Sequence, residues 1–203
     1  MSTAVMNPQP PPMAPTGPQP YRWTCDEYRT LRGAGRFNDR RVMLIDGVIL
    51  IMPLPDPPHN LSVGLIDDWL RRVFTTGYHV RNQMAFDVGT RNDPGPDLAV
   101  VAGSRRDLAT RQPTSAVLVV EVADSSLNLD TTTKAELYAT AGVPDYWVID
   151  LENRTLLVFR DPEPLPSGLG ATAYRTRQSF GPIDTVAPMA NPAVAVKVAD
   201  LLP

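Results

Sequence analysis

Cysteine, histidine and lysine are nearly absent from this chain, and each shortage removes a class of chemistry. A single cysteine, Cys25, cannot form an intrachain disulfide or a Cys-cluster zinc site, and two histidines do not make a His-rich metal centre. Any metal would therefore be held by oxygen. No apolar run approaches the roughly 20 residues that span a bilayer, and the N-terminus lacks the basic-then-apolar order of a secretory signal. The expectation is a cytoplasmic protein with no membrane partner. A net charge of −3 gives no bulk attraction for nucleic acid, although local arginines can still contact phosphate. Lys134 and Lys197 are the only lysines among 19 basic residues. A chain that otherwise uses Arg draws attention to Lys134, because a compact, titratable ammonium suits acid/base work better than a guanidinium.

What is present suits one core: hydrophobic residues make up 43% of 203 and charged ones 20%. Residues 1–20 carry Pro8, Pro10, Pro11, Pro12, Pro15, Pro18 and Pro20 with almost no bulky apolar partner, so they are expected to form a disordered tail. Residues 21–203 are expected to form one domain. Thr24 before Cys25-Asp26-Glu27-Tyr28 predicts an N-cap and a short helix ending near Gly33 and Gly35. Arg41–Ile45 and Val48–Met52 flank Asp46-Gly47, a type I′ hairpin signal. Leu61, Leu65, Trp69, Leu70 and Val73 recur at helical spacing and predict an amphipathic helix from His59 to about Phe74.

Three strands are expected next, over Tyr78–Val88, Asp97–Ala102 and Ala116–Ala123, the last two apolar enough to be covered on both faces. Asp130 or Thr131 is expected to cap a helix carrying Lys134, Leu137 and Tyr138, ended by Gly142 and Pro144. Tyr146–Asp150 should pair with Leu156–Arg160. Two weak strands are expected over Ala171–Arg177 and Ala193–Val198, with a surface loop from Asp161 to Gly170. The resulting class is α/β or α+β, with helices and an N-terminal hairpin around a sheet.

Asp97 opens one apolar run, behind Pro96, and Glu121 interrupts another, Val117-Leu118-Val119-Val120-Glu121-Val122-Ala123. An ionised carboxylate there costs several kcal/mol unless it is paired. Two such acids on neighbouring strands point to a divalent metal; the structural alternative is a buried salt bridge, with Arg the expected partner of Glu121. Lys134, placed in the first turn of the next helix, would point back toward the Glu121 strand, where Asp124, Ser125, Ser126 and Asp130 could support it. His59 reads more readily as a cap or surface residue, and Asp46 as the turn residue of the hairpin. Arg105, Arg106 and Arg111 form the densest basic patch, balanced between a solvated loop and a phosphate contact. Tyr146 and Trp147 are expected to pack in the sheet.

With these residues in place, the chain resembles the Uma family of putative restriction endonucleases, within the PD-(D/E)XK nuclease-like superfamily. The marks run from about Tyr21 to Leu202: Leu44-Ile45-Asp46-Gly47, His59 before a long helix, Pro96-Asp97, Val120-Glu121-Val122 with Ser125, Asp130 and Lys134, and Gly142-Val143-Pro144-Asp145-Tyr146-Trp147-Val148-Ile149-Asp150. The resemblance implies a restriction-endonuclease-like mixed β-sheet core flanked by helices. It also implies a Mg2+ or Mn2+ site made by Asp97, Glu121 and the Val122 carbonyl, with Lys134 orienting or deprotonating the attacking water. Asp46 and His59 would be ancillary, DNA the substrate and a homodimer the assembly. The usual Lys two positions after the Glu is replaced by Ala123, so Lys134 is its migrated equivalent. Met43 stands where relatives commonly carry Glu, and a thioether does not ligate a hard cation. The alternative is therefore a catalytically impaired nuclease-fold module that binds nucleic acid or protein, or a protein whose acids and Lys form only a buried ion network.

Overall fold

The computed structural model describes residues 17–165 and 172–203. Most of the expected tail and residues 166–170 of the expected loop lie outside them. Thr24 closes a capping box with Glu27 over α1 (Cys25–Gly33), satisfying amide donors that a helix start leaves open. Strands β1 (Arg41–Ile45) and β2 (Val48–Met52) pair in the predicted register around Asp46 and Gly47, which adopt the positive φ of 48° and 70° that a type I′ turn requires. A Cβ on Gly47 would stand 2.7 Å from that of Arg22, so only glycine lets the N-terminal segment cross the turn. Leu44 then exchanges backbone hydrogen bonds with Asp93, which clamps the hairpin to the segment leading into the sheet.

The sheet has six strands in sequence order: β3 (Tyr78–Asn82), β4 (Leu98–Ala102), β5 (Leu118–Ala123), β6 (Asp145–Asp150), β7 (Thr155–Pro164) and β8 (Thr172–Phe180). All neighbours are antiparallel except β5 and β6. A parallel pair needs a crossover, here α3 (Leu127–Leu129), a π-helical turn (Asp130–Lys134) and α4 (Ala135–Thr140) in one continuous run. The alternation of strand side chains divides the apolar residues between two cores. On one face Val120, Val122, Trp147 and Val158 meet Val63, Ile66, Trp69 and Leu70 of α2 (Pro57–Val73); on the other Val119, Ala123, Tyr146 and Val148 meet Ala135 and Tyr138 of α4. Trp69 stacks on Trp147 with ring centroids 5.9 Å apart.

The expected elements shift at their ends for identifiable reasons. Helix α2 starts two residues early, because Asp56 caps it and prolines are accepted in a first turn, where no intrahelical donor is needed. Strand β3 stops at Asn82, before Gln83, which turns to a φ of 47°. The expected loop from Asp161 is instead strand as far as Pro164. Beyond Arg160 this segment has left β6 and pairs only with β8, so a proline's missing donor can face the open side. The first weak strand becomes the nine-residue β8, while the second shrinks to β10 (Val196–Lys197), paired with β9 (Thr185–Val186).

Candidate active site

Strand β4 begins one residue after Asp97, whereas β5 runs on to Ala123, so the sheet opens at this corner. Asp97 fills the opening: its Oδ2 accepts the Val122 amide at 2.9 Å, replacing the missing strand partner. A strand residue turns its N–H and C=O to the same side, which directs the Val122 carbonyl toward the same opening. Asp97 Oδ2 also lies 3.3 Å from His59 Nε2, and Oδ1 accepts from Arg41 at 3.3 Å and Gln83 Nε2 at 3.4 Å. Burial alone would raise the Asp97 carboxyl, but the contact with His59, the Val122 amide and the charge of Lys134 hold it down at about 2. Asp97 is thus a buried, permanently anionic group.

Glu121 projects from the opposite face of β5 to Val120 and Val122, toward the crossover. Its Oε1 accepts the Tyr138 hydroxyl at 2.7 Å and lies 3.0 Å from Lys134 Nζ. Its Oε2 has no hydrogen-bond partner among the described residues. Burial, reinforced by Asp130 and Asp97 and opposed by Lys134, pushes the Glu121 carboxyl up to about 8. Lys134 lies 2.8 Å from Asp130 Oδ1, off the hydrogen-bond direction, so this is a contact of charges. Burial disfavours the ammonium, yet Glu121 and Asp130 together raise its pKa above the ordinary lysine value. Lys134 is therefore a cation at neutral pH, and a hydrogen-bond donor rather than a base. Its partner is acidic Glu121, so the expected Arg is replaced by Lys.

Lys134 does not occupy the first turn of a helix. The helical run begins at Leu127, and Lys134 closes the π turn, where the wider ring brings Asp130, Lys134 and Tyr138 onto the side facing β5. Ser126 donates to Asp130 Oδ2 and Tyr146 to the Asp130 carbonyl, which holds the first residue of the turn by its side chain and its backbone. His59, expected as a cap or surface residue, is 7% exposed and reaches Asp97. Only its backbone serves the cap, by donating to Asp56 at 3.0 Å. Asp46 stays at the hairpin tip, where it pairs with Arg22 in solvent, away from the cluster. Arg105, Arg106 and Arg111 follow the far end of β4, about five strand residues or roughly 17 Å from Asp97, so they are not part of this corner. Tyr146 and Trp147 are buried as expected.

Arg41, Gln83 and Tyr138 complete the arrangement without having been read from the sequence. Tyr138 was legible in principle, four residues after Lys134 and eight after Asp130, a spacing that repeats one helix side. Arg41 and Gln83 carried no local signal, because long-range folding alone brings them to Asp97.

A cavity of about 70 Å³ joins these groups, lined among others by Arg41, Met43, His59, Asp97, Glu121, Val122 and Lys134. Among the described residues no three His, Cys, Asp or Glu side chains converge as a metal cluster. Two carboxylates and a carbonyl nevertheless fit a hard cation such as Mg2+, which keeps several waters and needs only one or two carboxylates from the protein. The anionic Asp97 and the unpartnered Glu121 Oε2 meet that demand. Met43 lines the cavity with a thioether and adds no oxygen.

Residues 25–186 match the Uma2 family, described as putative restriction endonuclease. The fold is similar to the crystal structure of a putative nuclease belonging to DUF820 from Anabaena variabilis, with a TM-score of 0.67 and 16% identity over 88% of this chain and 96% of that one. No curated protein matches the chain. Among the described residues no helix is long and apolar enough to cross a membrane.

Proposed function

The chain belongs to the Uma2 family of putative restriction endonucleases and has the restriction-endonuclease-like fold; from that premise we propose that it is a metal-dependent endonuclease hydrolysing phosphodiester bonds of DNA. The observation that carries the reading is the meeting of buried Asp97, Glu121 and Lys134 at one cavity. Asp97, Glu121 and the Val122 carbonyl would hold Mg2+ or Mn2+. Such an ion, when bound, neutralises phosphoryl oxygens and acidifies water. The chain's own residues supply position and charge. His59, Arg41, Gln83 and the Val122 amide hold Asp97 in one orientation as an anion. Tyr138 and Lys134 hold Glu121 by one oxygen and leave the other toward the cavity. Lys134, kept cationic, stabilises negative charge developing on a phosphate and orients water by donation; it does not deprotonate it. A homodimer is the assembly that would cut both strands of a duplex, and the cytoplasm is where such an enzyme would meet DNA.

Cleavage assays with Mg2+ or Mn2+ comparing the wild type with Glu121→Ala and Lys134→Ala test this reading. Cleavage by the wild type and none by the variants is expected; equal cleavage by all three sinks it. One observation favours a second reading, a catalytically impaired module that binds nucleic acid or protein: the Met43 thioether lines the cavity where an acidic ligand would stand. Calorimetric Mg2+ binding that disappears in Asp97→Ala would count against that alternative.

A further inference from the structure

A second, larger space adjoins the catalytic cavity. It measures about 450 Å³, within the range of small-molecule sites, and shares Arg41, Met43 and Met52 with the smaller one. Resting on the nuclease reading, we propose that this recess takes one unpaired nucleotide of the substrate strand beside the scissile phosphate. Its walls carry Arg32, Arg40 and Arg41, the half-buried ring of Phe37, and Gln83. The carboxylate within it, Asp93, is buried and answered by Arg29 at 3.4 Å, so it does not cancel the charge of Arg32 and Arg40, while Arg41 is held by Asp97 at 3.3 Å. Arg40 pairs with Asp39 at 3.3 Å, but both are exposed, and such a pair yields readily to a phosphate. Cations around an aromatic ring are what single strands use, the cations tracking the backbone and the ring stacking a base.

Two residues tie the recess to the chemistry. Arg41 lines both spaces while donating to Asp97 Oδ1, and Gln83 lines the recess while donating to the same oxygen. Gln83 does so from a φ of 47°, a conformation a non-glycine residue adopts at a cost and one that concentrates at functional sites. A space of this size admits a base with its sugar, whereas a base pair stacked in a duplex stays outside. The 70 Å³ cavity is the narrower of the two and suits the phosphate. The strand must therefore leave one toward the other, and the shared Arg41 marks the passage.

Fluorescence anisotropy in EDTA tests the recess without requiring cleavage. The probes are a short fluorescein-labelled single strand, in DNA and RNA versions, and the same sequence as a blunt DNA duplex. Expected are tighter binding of the single strand, about tenfold weaker binding by Phe37→Ala, and a salt slope reduced by about 0.7 in Arg40→Gln. Arg106→Gln, at the far end of β4, should leave both unchanged, and recess-dependent binding of either sugar supports the proposal. Equal affinity for strand and duplex, no binding of either, or wild-type affinity in Phe37→Ala and Arg40→Gln overturns it. Duplex cleavage by the wild type together with that last result would retire the recess and leave the nuclease reading standing. Recess-dependent binding with no cleavage in Mg2+ or Mn2+ would do the reverse.

Discussion

Replacing Glu121 with glutamine separates what this residue does for the fold from what it does for the chemistry. The amide keeps the shape of the side chain and an oxygen for the Tyr138 hydroxyl and Lys134 ammonium, both now on Oε1. It removes only the ability to ionise. Burial first, with Asp130 and Asp97 against Lys134, raises the carboxyl from 4.5 to about 8 in the folded protein. A raised acid binds its proton more tightly when folded, so its stabilising contribution is complete below pH 4.5 and is lost as pH rises through about 8. At 1.36 kcal/mol per unit the loss over that window reaches up to roughly 5 kcal/mol, a large share of a domain's total stability. Urea unfolding in EDTA, followed by tryptophan fluorescence at pH 5, 7 and 9, should show wild-type stability falling across the series and Glu121→Gln stability nearly flat. The variant should equal the wild type at pH 5, exceed it at pH 9, and cleave nothing. The same slope in both proteins would refute the placement of Glu121 as a buried, proton-holding group.

Other outcomes follow from the same network. Lys134→Met leaves Asp130 buried without its cation and should cost about 3–5 kcal/mol by urea unfolding at pH 7; a loss under about 1 kcal/mol would mean that Lys134 is solvated. Stability should also fall below pH 4 as Asp97, held at about 2 against an ordinary 3.8, takes up its proton, and Asp97→Asn should lack that acid limb. Met43→Glu places a further carboxylate on the cavity and should tighten Mn2+ binding measured by calorimetry, and unchanged affinity would separate Met43 from the proposed metal site. Thr24→Ala opens the capping box of α1 and should cost about 1 kcal/mol of stability without altering cleavage.

The two apolar strands, the hairpin and the pair Asp97 and Glu121 were legible because each depends on neighbours in sequence: alternation, turn chemistry, and a charge where charge is expensive. Lys134 was legible as an unusual residue but not in its setting. The π turn is imposed by Ser126 and Tyr146 gripping Asp130 from either side, and Tyr146 belongs to a strand that comes later. His59 was misread for a related reason. Local rules account for its amide at the helix start, while its ring is claimed by Asp97, 38 positions onward. The prolines of β7 misled in the other direction, since a strand that has lost one neighbour tolerates what a central strand forbids.

Val122 divides its duties between two parts of one residue. Its side chain sits in the α2-facing core at 2% exposure, while its amide secures Asp97 and its carbonyl turns toward the opening. Every amino acid brings the same carbonyl, and all but proline the same amide. The position can therefore drift among valine, isoleucine and leucine under selection for packing alone, with the Asp97 corner untouched. Proline is the substitution that should break it, by deleting the donor that keeps Asp97 in place. In a library of variants this residue would behave as an ordinary core valine, and exchange of its peptide N–H for an ester oxygen is the change that would expose its second occupation.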